Sequence, residues 1–341
     1  MNSLERILAT LAGAAVDRRA VTPVLSLYGA RLTNCPLERY YNDASAYAKG
    51  QSAVREVFEP DALFTPFAFA LLGAAFGSKL HYFAEQAPNV RQPIVQNFKD
   101  CQTLEFPDFD SCPQLTFLRE SVRLMVAEHQ AEVPVAAVLP PPIDFPMLIM
   151  GLESWLETVL FNPEVALRIL ERITPFFIRL ANALFAEGAA FLALPCGLVL
   201  PAIVTRNMLE GFSKPVLQEC LPELHGPVIL HHAGAPLLEH LDLLTGLPQV
   251  IAFALDPQDD LEQTRQIVGP TPVLFGGPCG PNMARQTPQT LERECQGILA
   301  NRKNDPRFIL YTAGADIPLN APPENVWTLM NAARAFGEAD R

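Results

Sequence analysis

Charge is in short supply in this chain. Lys, Arg, Asp and Glu make up 18% of its residues, where a typical globular protein carries about a quarter. With 341 residues, 49% of them hydrophobic, the chain has enough apolar material for a large buried core. Basic runs are missing, and the net charge is −12. Both argue against nucleic acid as the main partner, because phosphates need cations to neutralise them. CxxC is missing as well. Seven cysteines, at 35, 101, 112, 196, 220, 279 and 295, share no short spacing. That argues against a disulfide framework and leads us to expect a reduced, cytoplasmic protein. The start, Met1-Asn2-Ser3-Leu4-Glu5-Arg6, lacks the basic-then-apolar order of a secretory leader. Apolar stretches such as 62–76 contain Pro66 and fall short of the ~18–20 residues of a membrane span. No GxGxxG follows an early strand, which weakens a dinucleotide-binding reading.

What is present is alternation. Short apolar runs at 21–27, 62–65, 133–139, 191–194, 228–231, 250–254, 272–276 and 308–312 read as eight strands. Longer stretches at 152–160, 163–185, 290–300 and 323–336 carry apolar residues at helical spacing. Asn162-Pro163 and Pro322-Pro323 mark helix starts, since proline fits the first turn. Eight strands with intervening helices predict an α/β fold, a (β/α)8 TIM barrel, as one domain over 1–341. Residues 28–60 and 77–130 are long insertions, expected to border the pocket as lids or walls.

Three strand ends then offer chemistry to one site. Val228-Ile229-Leu230-His231-His232-Ala233-Gly234 ends a strand in two histidines and a glycine turn. Gly277-Pro278-Cys279-Gly280-Pro281 follows another, and Ala313-Gly314-Ala315-Asp316 follows a third. Barrel enzymes keep their catalytic groups at such C-terminal strand ends. His231, Asp316 and Asp256 are the catalytic candidates. Strand alternation predicts that His232 points away from His231. Tyr28, Arg31, Asp144, His232 and Cys196 are candidates for substrate binding, with Tyr40, Tyr41 and Tyr82 as lid contacts or plain packing. Asp256 either orients a histidine or caps the next helix. Asp144 either faces the pocket or satisfies loop amides. Cys196 and Cys279 either act at the site or behave as small hydrophobes. Glu153 and Glu157 fall on a solvated helix face.

The order of several motifs resembles the uroporphyrinogen decarboxylase superfamily, which includes cobamide-dependent methyltransferases. The similar stretches are Glu5–Leu11 with Val16-Asp17-Arg18 and Val21–Val24, Gly151-Leu152-Glu153 through Asn162-Pro163-Glu164, Asp256 after Ala252–Leu255, and Ala321-Pro322-Pro323-Glu324-Asn325-Val326. The resemblance implies the barrel fold. It also implies one of two chemistries, and membership alone does not choose between them. The decarboxylase branch uses an arginine-rich loop and an aspartate after its second strand. Here the loop reads Leu27-Tyr28-Gly29-Ala30-Arg31, and Phe64–Phe69 holds no acid. The methyltransferase branch holds zinc with HxCG and GCxxP motifs. Here Ala233 and Ala315 stand at the cysteines, and His231 remains. A mixed set of His231, Cys279 and Asp316 is the alternative zinc site.

The resemblance therefore implies methyl transfer between a methylcorrinoid on a separate carrier protein and a small acceptor, without the usual zinc thiolate. No DxHxxG motif occurs, so the corrinoid would arrive on its own protein. A carboxy-lyase of porphyrin metabolism and a non-catalytic barrel that docks a corrinoid protein are the rival readings.

Overall fold

The computed structural model describes residues 1–95, 104–129 and 131–338. Eight parallel strands form a nearly closed barrel surrounded by helices: β1 (Val21–Thr22), β2 (Leu63–Phe64), β5 (Val135–Val138), β6 (Phe191–Pro195), β7 (Val228–His231), β8 (Val250–Ala254), β9 (Val273–Gly276) and β10 (Phe308–Tyr311). Their order around the wall is β1-β10-β9-β8-β7-β6-β5-β2. The remaining pair, β3 (Lys79–His81) and β4 (Asn89–Gln92), is an exposed antiparallel hairpin in the second insertion. All eight expected strands are present. The first is shorter than expected, because Pro23 has no N–H to continue the ladder.

Alternation divides the strands between two cores. Ile229, Ala252, Ala254, Val273, Phe275, Ile309 and Tyr311 fill the barrel interior. Val228, Leu230, Phe253, Leu274, Phe308 and Leu310 face the surrounding helices. The four expected helices form at Leu152–Phe161, Pro163–Ala186, Pro288–Asn301 and Pro323–Glu338. Pro163 and Pro288 occupy first turns, where a missing N–H costs nothing. Trp155 is fully buried and donates to the Ile143 carbonyl at 2.8 Å, while Glu153 and Glu157 stay exposed.

The two insertions build helices Tyr28–Leu32, Ala44–Phe58 and Pro113–His129 around the hairpin. Residues 96–103 and 130 of the second insertion, Cys101 among them, lie outside the described residues. Tyr40 and Tyr41 are fully buried in an aromatic cluster with Tyr47. Tyr40 donates to the Ser26 carbonyl at 3.0 Å. These two tyrosines therefore pack the insertion; they are not lid contacts. Tyr82 is half-buried and accepts from Asn42. A cleft of about 510 Å³ opens between Arg31, Cys35, Ala84, Glu85 and Asn320, so both insertions reach one groove. His231 does not line it.

The seam between β1 and β2 is closed by side chains as much as by backbone. Asp61 N–H donates to the Val21 carbonyl at 2.9 Å, and its carboxylate accepts from Val21 N–H at 2.8 Å. Asp61 is fully buried and also pairs with Arg6 at 2.6 Å and Arg18 at 2.7 Å. Removing this acid would leave Arg6 with Asp17 alone, Arg18 without its carboxylate and the Val21 amide unpaired at an open seam. Asp61→Ala is expected to lower unfolding free energy by about 3–5 kcal/mol in urea titration. A loss below about 1 kcal/mol would show that the backbone closes the seam unaided.

Candidate active site

The chain after β7 turns sharply, with Ala233 at φ +46° and Gly234 at φ +98°. His232 therefore lies beyond the regular strand, where alternation no longer applies. The two imidazoles stack on the same side, 4.5 Å apart and 23° from parallel. The expectation that they point apart is corrected by this turn. Both are buried, with His231 6% exposed.

The loop amides set the protons on these rings. Ala233 N–H donates to His231 Nδ1 at 3.1 Å. A neutral ring that accepts at Nδ1 carries its hydrogen on Nε2. Burial, reinforced by neighbouring His232, holds the His231 pKa well below the usual histidine range, so the ring is neutral. His231 Nε2 is buried and has no partner among the described residues. His232 is tied on three sides. Its N–H donates to the Ala254 carbonyl, Gly314 N–H donates to its Nε2 at 2.9 Å, and Asp256 approaches its Nδ1 at 3.3 Å. Burial pulls the His232 pKa down in spite of Asp256, so this contact is a hydrogen bond and not an ion pair. Asp256 thus orients a histidine, while Asp260 caps the next helix. Gly234 N–H lies 3.1 Å from His232 Nδ1 as well; with Nε2 accepting from Gly314 N–H, the hydrogen of this ring sits on Nδ1, towards Asp256.

The other candidates are placed as follows. Asp316 turns to the opposite side of the mouth. It accepts from Leu27 N–H at 3.0 Å and Ser26 Oγ at 3.3 Å. Ser26 Oγ in turn accepts from Phe67 N–H at 3.1 Å. Asp316 therefore holds the loops after β1, β2 and β10 together. Phe67 is half-buried, with its ring 6.3 Å from that of His231. Ser26 and Phe67 carry no sequence signal of this role. Tyr28 donates to the Ala321 carbonyl at 2.8 Å, and Arg31 donates to the Leu319 and Ala321 carbonyls. Both anchor the 319–321 loop; Tyr28 is buried, whereas Arg31 is exposed and also lines the cleft between the insertions. Asp144 accepts from Gly197 and Leu198 N–H at 2.7 and 3.0 Å, so it satisfies loop amides. Cys196 is fully buried, and burial raises its thiol pKa well above the ordinary value. It packs as a hydrophobe.

His231, Cys279 and Asp316 do not assemble a metal site. No group of three His, Cys, Asp or Glu side chains comes together to hold a metal among the described residues. Cys279 is half-buried and bridges to Ala313, an approach that Gly277 permits by lying against the Tyr311 carbonyl. Zinc at His231 Nε2 would also need a proton on Nδ1, where Ala233 N–H already points. The residues present do not fit zinc.

Two carboxyls near the mouth titrate unusually high. Burial raises Asp316 and Asp144 to about 7, against the lowering effect of their hydrogen bonds. A carboxyl raised in the fold holds its proton more tightly there than in the unfolded chain. Its contribution to stability is whole below the ordinary aspartate value near 4 and is lost as pH rises towards about 7. Thermal unfolding is expected to show stability falling across that window. Asp316→Asn should flatten the decline, and adding Asp144→Asn should flatten it further. An identical slope in the double variant would mean that both acids ionise normally.

Comparison with known proteins agrees with this architecture. The sequence matches the uroporphyrinogen decarboxylase family over residues 2–336. A methyltransferase from Methanosarcina mazei superposes with a TM-score of 0.86 at 17% identity, covering 98% of this chain and 99% of that one. A B12-independent methionine synthase from a Shewanella species, solved with selenomethionine, gives a TM-score of 0.58 at 9% identity, covering 95% and 97%. No protein of curated function matches the sequence. At these identities the structural likenesses concern the fold, and the family match covers nearly the whole chain. The chain belongs to the uroporphyrinogen decarboxylase family.

Proposed function

We propose that this protein transfers a methyl group between a methylcorrinoid on a separate carrier protein and a small acceptor, at the C-terminal mouth of the barrel. The supporting observation is the full-length likeness to the Methanosarcina methyltransferase. In the transfer to acceptor, its lone pair forms the bond to the methyl carbon. The carbon–cobalt bond breaks, and its electron pair leaves with cobalt. The corrinoid is a substrate brought by the partner. Exposed Ala233 and Gly234 rim the mouth on the side of the histidines, where such a carrier would dock. His231 is the polar anchor for the acceptor, and Asp256 positions His232 beside it. Phe67 and Phe69 shield the site from water. The six described cysteines are free, in keeping with a reducing compartment. No described helix is long and apolar enough to cross a membrane.

Decarboxylation of a tetrapyrrole fits less well. Many carboxylates call for several cations, and Arg31, the one arginine of its loop, already gives Nη1 to the 319–321 carbonyls. Incubation with uroporphyrinogen is expected to give no coproporphyrinogen by chromatography. Product formation at an enzyme-like rate would move the protein to the carboxy-lyase reading.

The methyl-transfer reading is tested with methylcobalamin as surrogate donor and a panel of thiol, phenol and pterin acceptors. Loss of the carbon–cobalt bond is followed in the visible spectrum. His231→Ala should lower the rate on the order of 10²-fold, the scale of a lost strong hydrogen bond, while the protein stays folded. No turnover with any acceptor, with or without a corrinoid carrier protein, would leave a non-catalytic barrel.

A further inference from the structure

Four arginines from four parts of the chain converge at the bottom of the barrel, the end away from the histidines. Arg6 comes from helix Ser3–Ala12, Arg18 from the loop before β1, Arg55 from helix Ala44–Phe58 and Arg334 from the final helix. Each fastens on the turn that leads into β2. Arg334 donates to the Phe58 carbonyl at 3.4 Å and pairs with Glu59 at 2.8 Å. Arg55 donates to the Pro60 carbonyl at 3.1 Å, and Arg6 and Arg18 share the Asp61 carboxylate. Four successive residues, Phe58 to Asp61, thus gather four guanidinium groups. An open cleft of about 410 Å³ lies among them, lined by all four arginines and by Asp17 and Glu59.

The charges around this cleft are unevenly matched. Arg6 is fully engaged: Asp17 accepts from its Nε and Nη2 at 2.8 Å each, and Asp61 accepts from Nη1. Arg18 gives Nη1 and Nη2 to Asp61. Arg55 differs. Its side chain is only 18% exposed, yet Nη1 donates to neutral oxygens alone, Ser3 Oγ and the Pro60 carbonyl. Among the described residues, the carboxylate it approaches is that of exposed Glu132, at 4.0 Å. Arg334 bonds through Nη2 only. A guanidinium carries five N–H donors, so Arg55 and Arg334 both keep donors to offer. The cleft wall holds four cations against two anions, and buried Asp61 behind it still leaves the acids one short. This surplus stands in a chain whose net charge is −12. Gathering like charges at a half-buried place is unfavourable unless an anion joins them.

We propose that this cleft binds a small oxyanion of at least two negative charges, a phosphoryl or polycarboxylate group, held between Arg55 and Arg334. Guanidinium forks match the paired oxygens of such groups. The bound anion ties the final helix to helix Ala44–Phe58 and to the turn before β2, the turn that closes the seam. The N-terminal face of a barrel serves stability, and its chemistry sits at the other end. The anion is therefore an effector that staples the seam and not a reactant. The site stands independently of the methyl-transfer reading.

Pyrophosphate and citrate test the proposal, one for each kind of oxyanion. The full chain is titrated calorimetrically at a fixed ionic strength of about 0.1 M set with sodium chloride, so that screening stays constant. One site per chain should fill with a dissociation constant below about 1 mM for at least one probe. The tighter probe identifies the head group. Arg55→Gln and Arg334→Gln should each weaken its binding about tenfold, the scale of a lost charge-assisted hydrogen bond. Glu59→Gln should tighten it about threefold, because the acid that competes for Arg334 is gone. Arginines that only brace the turn would not produce that opposite sign. Arg334 and Glu59 are 30% and 64% exposed, so their variants should fold, and they decide alone if Arg55→Gln does not. Failure of both probes to saturate would overturn the proposal. So would affinity that the variants leave unchanged, which would put the anion elsewhere, or weaker binding in Glu59→Gln.

Discussion

The barrel depends on a seam that its backbone does not close by itself. β1 and β2 contribute two residues each, too few for a ladder of their own. Charge and hydrogen bonds take over at both ends. At the bottom, the Asp61 carboxylate gathers Arg6, Arg18 and the Val21 amide. At the top, Asp316 holds Leu27 and Ser26, and Ser26 holds Phe67. A buried acid at each end converts two short strands into a wall. Hydrophobic burial supplies most of the folding free energy, but it is not directional. The acids supply the direction that fixes where the seam lies.

This seam carries consequences for the site. The loop that places Phe67 by His231 hangs from the upper acid, so closure of the barrel and cover of the site are one structure. Asp316 is linked to Phe67 through Ser26 Oγ. Its raised pKa follows from the same burial.

Much of the architecture was legible in the sequence, because a buried parallel strand is an apolar run and an outer helix has its period. All eight strands and the four proposed helices follow from that. What was not legible depended on distant partners. The bonds from Arg31 and Tyr28 to carbonyls of residues 319–321, nearly 290 positions away, leave no trace in the sequence. Asp144 is settled in the same way by the amides of Gly197 and Leu198. His232 was misplaced because alternation was carried one residue too far, into a turn where Ala233 already has a positive φ. His231 ends its strand where the sequence pattern puts it.

The polarity of the loops around the histidines sets which nitrogen of each ring is engaged. Metal-binding imidazoles donate outward through the nitrogen that does not touch the metal, usually to a carbonyl or a carboxylate. Here backbone amides face the rings instead: Ala233 at His231 and Gly314 at His232. Only His232 has a carboxylate, and its Nε2 is already used. The amide at His231 leaves the Nε2 hydrogen as the one polar feature the ring turns towards the interior. Alanine at 233 and 315 offers no metal-binding side chain beside these amides, and the His231 imidazole is left suited to donating a hydrogen bond. The rings of Phe67 and Tyr311 stand edge-on to it at 6.3 and 6.4 Å, so the imidazole is packed among aromatic edges as well as loop amides.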